Sequence, residues 1–246
     1  MTAPAQTLPP YAVRRSARAR RARLTIGDTG EATVVLPARA SQLVAAELVA
    51  RHAGWLERHT RRINSQRLLL DARPGLRDGR EVTIAGERRQ IRIEAAGTGR
   101  RRSSVSLVDS AGELYLVVRL ARADGRLPQV VLEEWLRQRA RQVIAEQVRQ
   151  RAAQLGARPA GMTVRDQRSR WASASARGTL SFSWRLLLCP PWVLDYVVVH
   201  ELAHLRRAGH DRAFWALVER HVPAAVVADA RRWLREQRLA LHRALD

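Results

Sequence analysis

The stretch Val193-Leu194-Asp195-Tyr196-Val197-Val198-Val199-His200-Glu201-Leu202-Ala203-His204-Leu205 decides how this chain is read. Pro190-Pro191 precede it, and a proline in the first turn suits a helix start. Its apolar residues fall on every face, which predicts a buried helix running from the proline pair to about Ala208. Residues four apart share one helix face, so His200 and His204 can offer two imidazoles to one ion. Glu201 lies beside them, close enough to reach a water on that ion without ligating it. Two His and a Glu in a buried helix need partners, because unpaired buried polar groups are costly, and a metal supplies them.

A catalytic zinc site takes three protein ligands and keeps one position open for water. The expected third ligand is His210, with Gly209 ending the helix in a left-handed turn that swings His210 back toward the ion. Glu219 and Glu236 are the downstream carboxylates that could take its place. The metzincin arrangement is excluded. Its glycine stands two residues earlier than Gly209, and it needs a downstream methionine, whereas the methionines here are Met1 and Met162.

Working outward, Pro128 leads into Val131, Leu132, Trp135, Ala140, Val143, Ile144, Val148 and Leu155, a helical series with Gly156 as its stop. Two strands, Met162–Arg165 and Thr179–Leu187, are expected between this helix and the His200 helix, joined by the polar residues 168–178. Beyond it, Asp211 starts a short helix to about His221, and Pro223 opens a last one ending near Leu241. The first half reads differently. Strand-like pieces at Tyr11–Arg15, Arg23–Ile26 and Ala32–Leu36 precede a long helix from Gln42 to about Asn64, capped by Ser41. Short alternating runs around 82–84, 90–93, 105–107 and 114–118 are hairpin signals. The expected division is a disordered lead-in over 1–10, a β-rich region over 11–126, and a helical domain over 127–246.

Composition bounds the rest. At 246 residues and 46% hydrophobic content the chain can bury a sizeable core. A single cysteine, Cys189, excludes an intramolecular disulfide and a thiolate-rich zinc site. No apolar run approaches the roughly 20 residues of a membrane span, and nothing near the N-terminus resembles a secretory signal, so a cytoplasmic protein without a membrane partner is expected. The net charge of +21 admits a nucleic-acid partner. All 44 basic residues are Arg, which fits a GC-rich coding bias but does not explain the excess of bases over acids. The cluster Arg14, Arg15, Arg18, Arg20, Arg21, Arg23 is the segment that could hold a duplex.

The segment from Arg168-Ser169-Arg170-Trp171 through Leu180–Leu188, the His200 helix and His210 to Phe214-Trp215 resembles the YgjP-like metallopeptidase family, relatives of the SprT and WLM zinc proteases. The strong resemblance covers roughly residues 160–240, and a weaker one takes in Tyr11, Pro37 and Trp55 of the first half. It implies a zinc-dependent hydrolase acting on peptide or protein substrates, with one Zn2+ per chain held by His200, His204 and His210 and with Glu201 as general base. One departure stands out: the family has Gly-Ser-Cys after its Arg-Trp pair, where this chain has Ala172-Ser173-Ala174. The fold then expected is α+β, a β-rich N-terminal half with one long helix and a C-terminal zincin-like helical unit. That unit holds a small two-strand sheet and the buried His-Glu-x-x-His helix.

Three further residues are candidates. Arg185 could stabilise an oxyanion or pair with a carboxylate; Tyr196, one turn before His200, could reach the site or fill the core; Asp195 could orient a ligating His. Trp171, Trp184, Trp192 and Trp215 are expected in the core. Two alternatives accompany the metallopeptidase: a SprT-like protease acting on DNA-associated proteins through the Arg-rich surface, and a non-catalytic protein that zinc merely staples together.

Overall fold

The structure is a computed structural model that describes residues 9–27, 30–71, 75–110, 112–167 and 169–245, with only the backbone of residues 66, 67 and 69–71. Residues 1–8 of the expected lead-in and Arg168 of the quoted motif lie outside the described residues. The chain divides into two compact units, Met1–Arg73 and Pro74–Asp246.

In the first unit, β1 (Tyr11–Ser16) runs parallel to β3 (Ala32–Pro37), and β2 (Arg23–Ile26) pairs antiparallel with the other side of β3. The middle strand β3 carries the fully buried Val34 and Leu36, which pack with Ala45, Val49 and Leu56 from the helices. The expected single helix is two, α1 (Leu43–Arg51) and α2 (Ala53–Asp71). The break falls at His52, two residues before Gly54, a residue that costs a helix about 1 kcal/mol relative to alanine.

The second unit begins with a four-stranded sheet. Its strands β4 (Glu81–Ile84), β5 (Glu87–Ala95), β6 (Ser104–Ser110) and β7 (Glu113–Leu120) lie in the order β4-β5-β7-β6, with β5 and β7 parallel. Val82, Ile91, Leu116 and Val118 belong to the same core as the buried residues of α3 (Pro128–Leu155). The compositional change at residue 127 therefore lies inside this unit, because the sheet buries its apolar face with the helix that follows. Along α3 the buried positions Leu132, Leu136, Ala140, Ile144, Val148 and Ala152 recur every four residues. Gly156 ends it at φ 61, the left-handed stop its position predicts.

The small sheet has three strands where two are expected. β8 (Gly161–Arg165) pairs parallel with β10 (Thr179–Ser183), and β9 (Ala172–Ala174) pairs antiparallel on β10's other side. β9 is Ala-Ser-Ala, which carries neither strand propensity nor alternation, so pairing with β10 makes it a strand. The expected strand to Leu187 stops at Ser183, and Trp184–Leu188 form a 3-10 helix whose five residues are all buried. A continuous apolar run does not reveal its own period.

Four helices complete the unit: α4 (Pro191–His204), α5 (Arg212–Glu219), α6 (Ala224–Glu236) and α7 (Arg238–His242). The turn between β4 and β5 seats the start of α4. Ala85 donates its N–H to Leu187 O at 2.7 Å, and a Cβ on Gly86, at φ +85, would come within 2.8 Å of Pro191 Cδ. None of the described helices is long and apolar enough to cross a membrane.

Candidate metal centre

α4 is buried on nearly every face: Val193, Leu194, Tyr196, Val197, Val198, Val199, Leu202 and Ala203 are all core residues. Against that apolar background Asp195, His200, Glu201 and His204 are the polar exceptions. The helix ends at His204, four residues earlier than the proline-to-Ala208 expectation, and the chain turns with Leu205, Arg206 and Arg207 donating to the carbonyls of Leu202 and Ala203. That turn brings the Arg207 carbonyl to 3.1 Å from His204 Nδ1. With the proton on Nδ1, the lone pair of His204 Nε2 is left for the cluster.

His210 joins from the loop before α5. Its Nε2 lies 3.1 Å from His200 Nε2, and His204 Nε2 lies 3.2 Å from the same atom. The three rings form a metal-competent group, while Glu219 and Glu236 do not join it. Gly209 plays no part in the way expected of it: its φ is not in the left-handed region, and a Cβ there would meet nothing within 4 Å. His210 is held from the other side, where Asp211 caps α5 by accepting the Phe214 N–H at 2.7 Å.

Phe214 is the residue that sequence reasoning passed over. It is fully buried, and its ring centroid lies 5.0, 4.6 and 4.8 Å from those of His200, His204 and His210. The three imidazoles thus share one aromatic support. Trp215 adds a second surface, 5.7 Å from His210 and 5.9 Å from His200. An aromatic pair just after a capping aspartate reads as ordinary core, so no local signal marks this role.

Burial, then the neighbouring His204 and His210, then Arg231, push His200 down to about 3, so it is neutral at physiological pH, as a ligand must be. His204 is lowered too, chiefly by burial. Glu201 is only 6% exposed, and burial pushes it up to about 7 against a hydrogen bond from the Ala174 backbone and the charge of Arg170. His200 Nδ1 and Glu201 Oε2 are buried without a hydrogen-bond partner among the described residues. A tetrahedral ion with metal–nitrogen distances near 2.0–2.1 Å sets neighbouring nitrogens on the order of 3.3 Å apart. Two of the three nitrogen pairs, His200 with His204 and His200 with His210, approach that spacing, and imidazole is a donor type that zinc accepts.

The other candidates lie elsewhere. Asp195 accepts from Arg151 and Gln147 of α3, so it does not orient a histidine. Arg185 is buried, paired with Asp166 and 4.5 Å over the Trp184 ring, which places it in a structural ion pair apart from the cluster. Tyr196 is both core and neighbour: it is 5% exposed, with its ring 5.7 Å from His200. Of the four tryptophans, Trp184 is core, Trp171 stacks on His242, and Trp192 is 40% exposed, its apolar setting in sequence notwithstanding.

No curated protein matches the chain. Among solved structures, the crystal structure of the metallopeptidase zymogen of Pyrococcus abyssi abylysin is similar over 38% of this chain and 93% of that one. The identity is 22% and the TM-score 0.35, too low to establish a shared fold. The family model of the YgjP-like metallopeptidase domain matches residues 20–237, a span that includes strands of both units and all three clustered histidines. The chain therefore belongs to the YgjP-like metallopeptidase domain family.

Proposed function

We propose that this metallopeptidase is zinc-dependent and hydrolyses peptide bonds with Glu201 as general base. The observation that carries the reading is the convergence of three imidazole nitrogens beside one buried carboxylate, Glu201. His200, His204 and His210 would hold the ion through their Nε2 atoms. Bound there, zinc supplies Lewis acidity that brings a water's pKa to about 7 and polarises a carbonyl. Glu201 takes the proton from the attacking water and returns it to the departing amine nitrogen. Burial makes its carboxylate basic enough for the first task, and the Ala174 N–H keeps it in place. The Arg207 carbonyl fixes the His204 tautomer, and Phe214 holds the three rings in register.

Metal analysis of the wild type beside His204→Ala and His210→Ala tests the site before any substrate is known. One zinc per chain is expected in the wild type and little in either variant. Glu201→Gln should keep its zinc and lose turnover, and full turnover in that variant would overturn the mechanism.

A second reading has its own observation. Arg14, Arg15, Arg18, Arg20, Arg21 and Arg23 are all exposed, and none has a carboxylate partner among the described residues. They would bind the phosphates of nucleic acid, with affinity falling steeply as salt rises. Binding that ignores salt, or that survives neutralising the six arginines, sinks this reading.

A further inference from the structure

An exposed arginine, Arg231, borders the histidine cluster and has no carboxylate partner among the described residues. Arg231, on α6, lies 5.1 Å over the ring of Trp215, the same ring that faces His200 and His210. Its neighbour Arg232 differs, being paired with Asp229. The charge of Arg231 reaches both His200 and Tyr196, and that of Arg170 reaches Glu201. Arg231 thus places an exposed positive charge beside the aromatic ring that faces the cluster.

Its place over Trp215 fixes where this charge sits, and a guanidinium offers N–H donors that a carboxylate accepts in pairs. We propose that Arg231 selects peptide substrates that carry a carboxylate close to the scissile bond. That carboxylate is either an acidic side chain or the substrate's own C-terminus. The inference rests on the metallopeptidase reading and adds the substrate class to it.

The test uses the full chain as the zinc-loaded Glu201→Gln variant, so that peptides bind without being cut. Fluorescein-labelled mixed-sequence peptides are prepared with Glu or with Gln at fixed positions, each with a free or an amidated C-terminus. Fluorescence anisotropy should show the acidic pool binding roughly three- to fivefold tighter, the range of an exposed ion pair. A preference lost on changing Glu to Gln assigns an acidic side chain, and one lost on amidation assigns the terminus. Adding Arg231→Ala should erase the preference, Arg231→Lys should retain part of it, and Arg231→Glu should favour a Lys-containing pool, all with zinc content unchanged. Equal binding of acidic and neutral pools, or a preference that survives Arg231→Ala, overturns the proposal and leaves the peptidase standing. If no pool binds and the wild type cuts none, the metallopeptidase reading falls and takes this inference with it.

Discussion

Replacing Phe214 with leucine should weaken zinc binding more than it weakens the fold. The ring is fully buried and touches all three imidazoles at centroid distances of 5.0, 4.6 and 4.8 Å. Leucine keeps most of the apolar volume, so the packing loss should be about 1–2 kcal/mol rather than the 3–5 of a phenylalanine-to-alanine change. What leucine cannot keep is the set of aromatic contacts, each contributing about 0.5–1.5 kcal/mol and each restricting one ring. Loss of such outer support commonly lowers metal affinity about 10–100-fold. With zinc at about 1,000 times the wild-type Kd the ion stabilises the fold by about 4.1 kcal/mol, and that affinity loss removes about 1.4–2.7 of it. For a unit of this size, the rise in Tm on adding zinc should shrink by roughly 3–11 °C. The assay is calorimetry with and without zinc, beside a competitive chelator titration. Val218→Ala, a change at a fully buried position on the same helix, is the control: its Tm should fall while its zinc affinity holds. If Phe214→Leu loses stability and binds zinc like the wild type, Phe214 is core and nothing more, and the account of the cluster's rigidity is wrong.

Gly209→Ala should leave both zinc content and Tm unchanged within about 0.5 kcal/mol, because the backbone there is not left-handed and a Cβ meets open space; loss of zinc would restore the glycine turn to the argument. Gly86→Ala should destabilise by about 1–3 kcal/mol in a denaturant titration, since its φ is +85 and the new Cβ strikes the rigid ring of Pro191 at 2.8 Å; an unchanged midpoint would refute the docking of this turn on α4. Hydrogen bonds from Arg126 and Ser103 hold the Asp124 carboxyl well below the usual carboxylate range. Its contribution is therefore complete above the unfolded value of about 3.9 and is lost as pH falls below it. Wild-type stability should drop more steeply than that of Asp124→Asn between about pH 5 and pH 2, and parallel curves would remove Asp124 from the account.

What the sequence shows and what it hides differ in kind. α3 is legible to the residue, because proline in the first turn and Gly156 after Leu155 act locally. The buried character of α4 is legible too, as its apolar residues leave no face for water. β9 is hidden because Ala172-Ser173-Ala174 becomes a strand only by meeting β10. His210 stands beside the other two imidazoles, but not through the turn expected of Gly209, since the chain leaves α4 at His204. Phe214 and Arg231 are hidden for a shared reason. A phenylalanine after a helix cap reads as core and an arginine on a surface helix reads as solvated, and only the packing of α5 and α6 around α4 gives them neighbours with chemistry.

The loop from Leu205 to Asp211 is held by contacts within the protein that set His210 beside the other two imidazoles. Its start is tied by the Arg207 carbonyl to His204 Nδ1 and by Arg206 Nη1 to the Leu155 carbonyl at 2.8 Å. Its end is tied by the Asp211 cap on α5. The Leu155 carbonyl belongs to the last turn of α3, where a cation satisfies a carbonyl the helix leaves free. Gly156 lets the chain turn away there, and a Cβ on it would sit 3.4 Å from Arg206 Nη1, so the arginine seats closely against the helix end. The loop is thus fixed by α3 at one end and α5 at the other, and both helices share a core with α4. His210 inherits its position from that framework, so most of its ordering entropy is spent in folding.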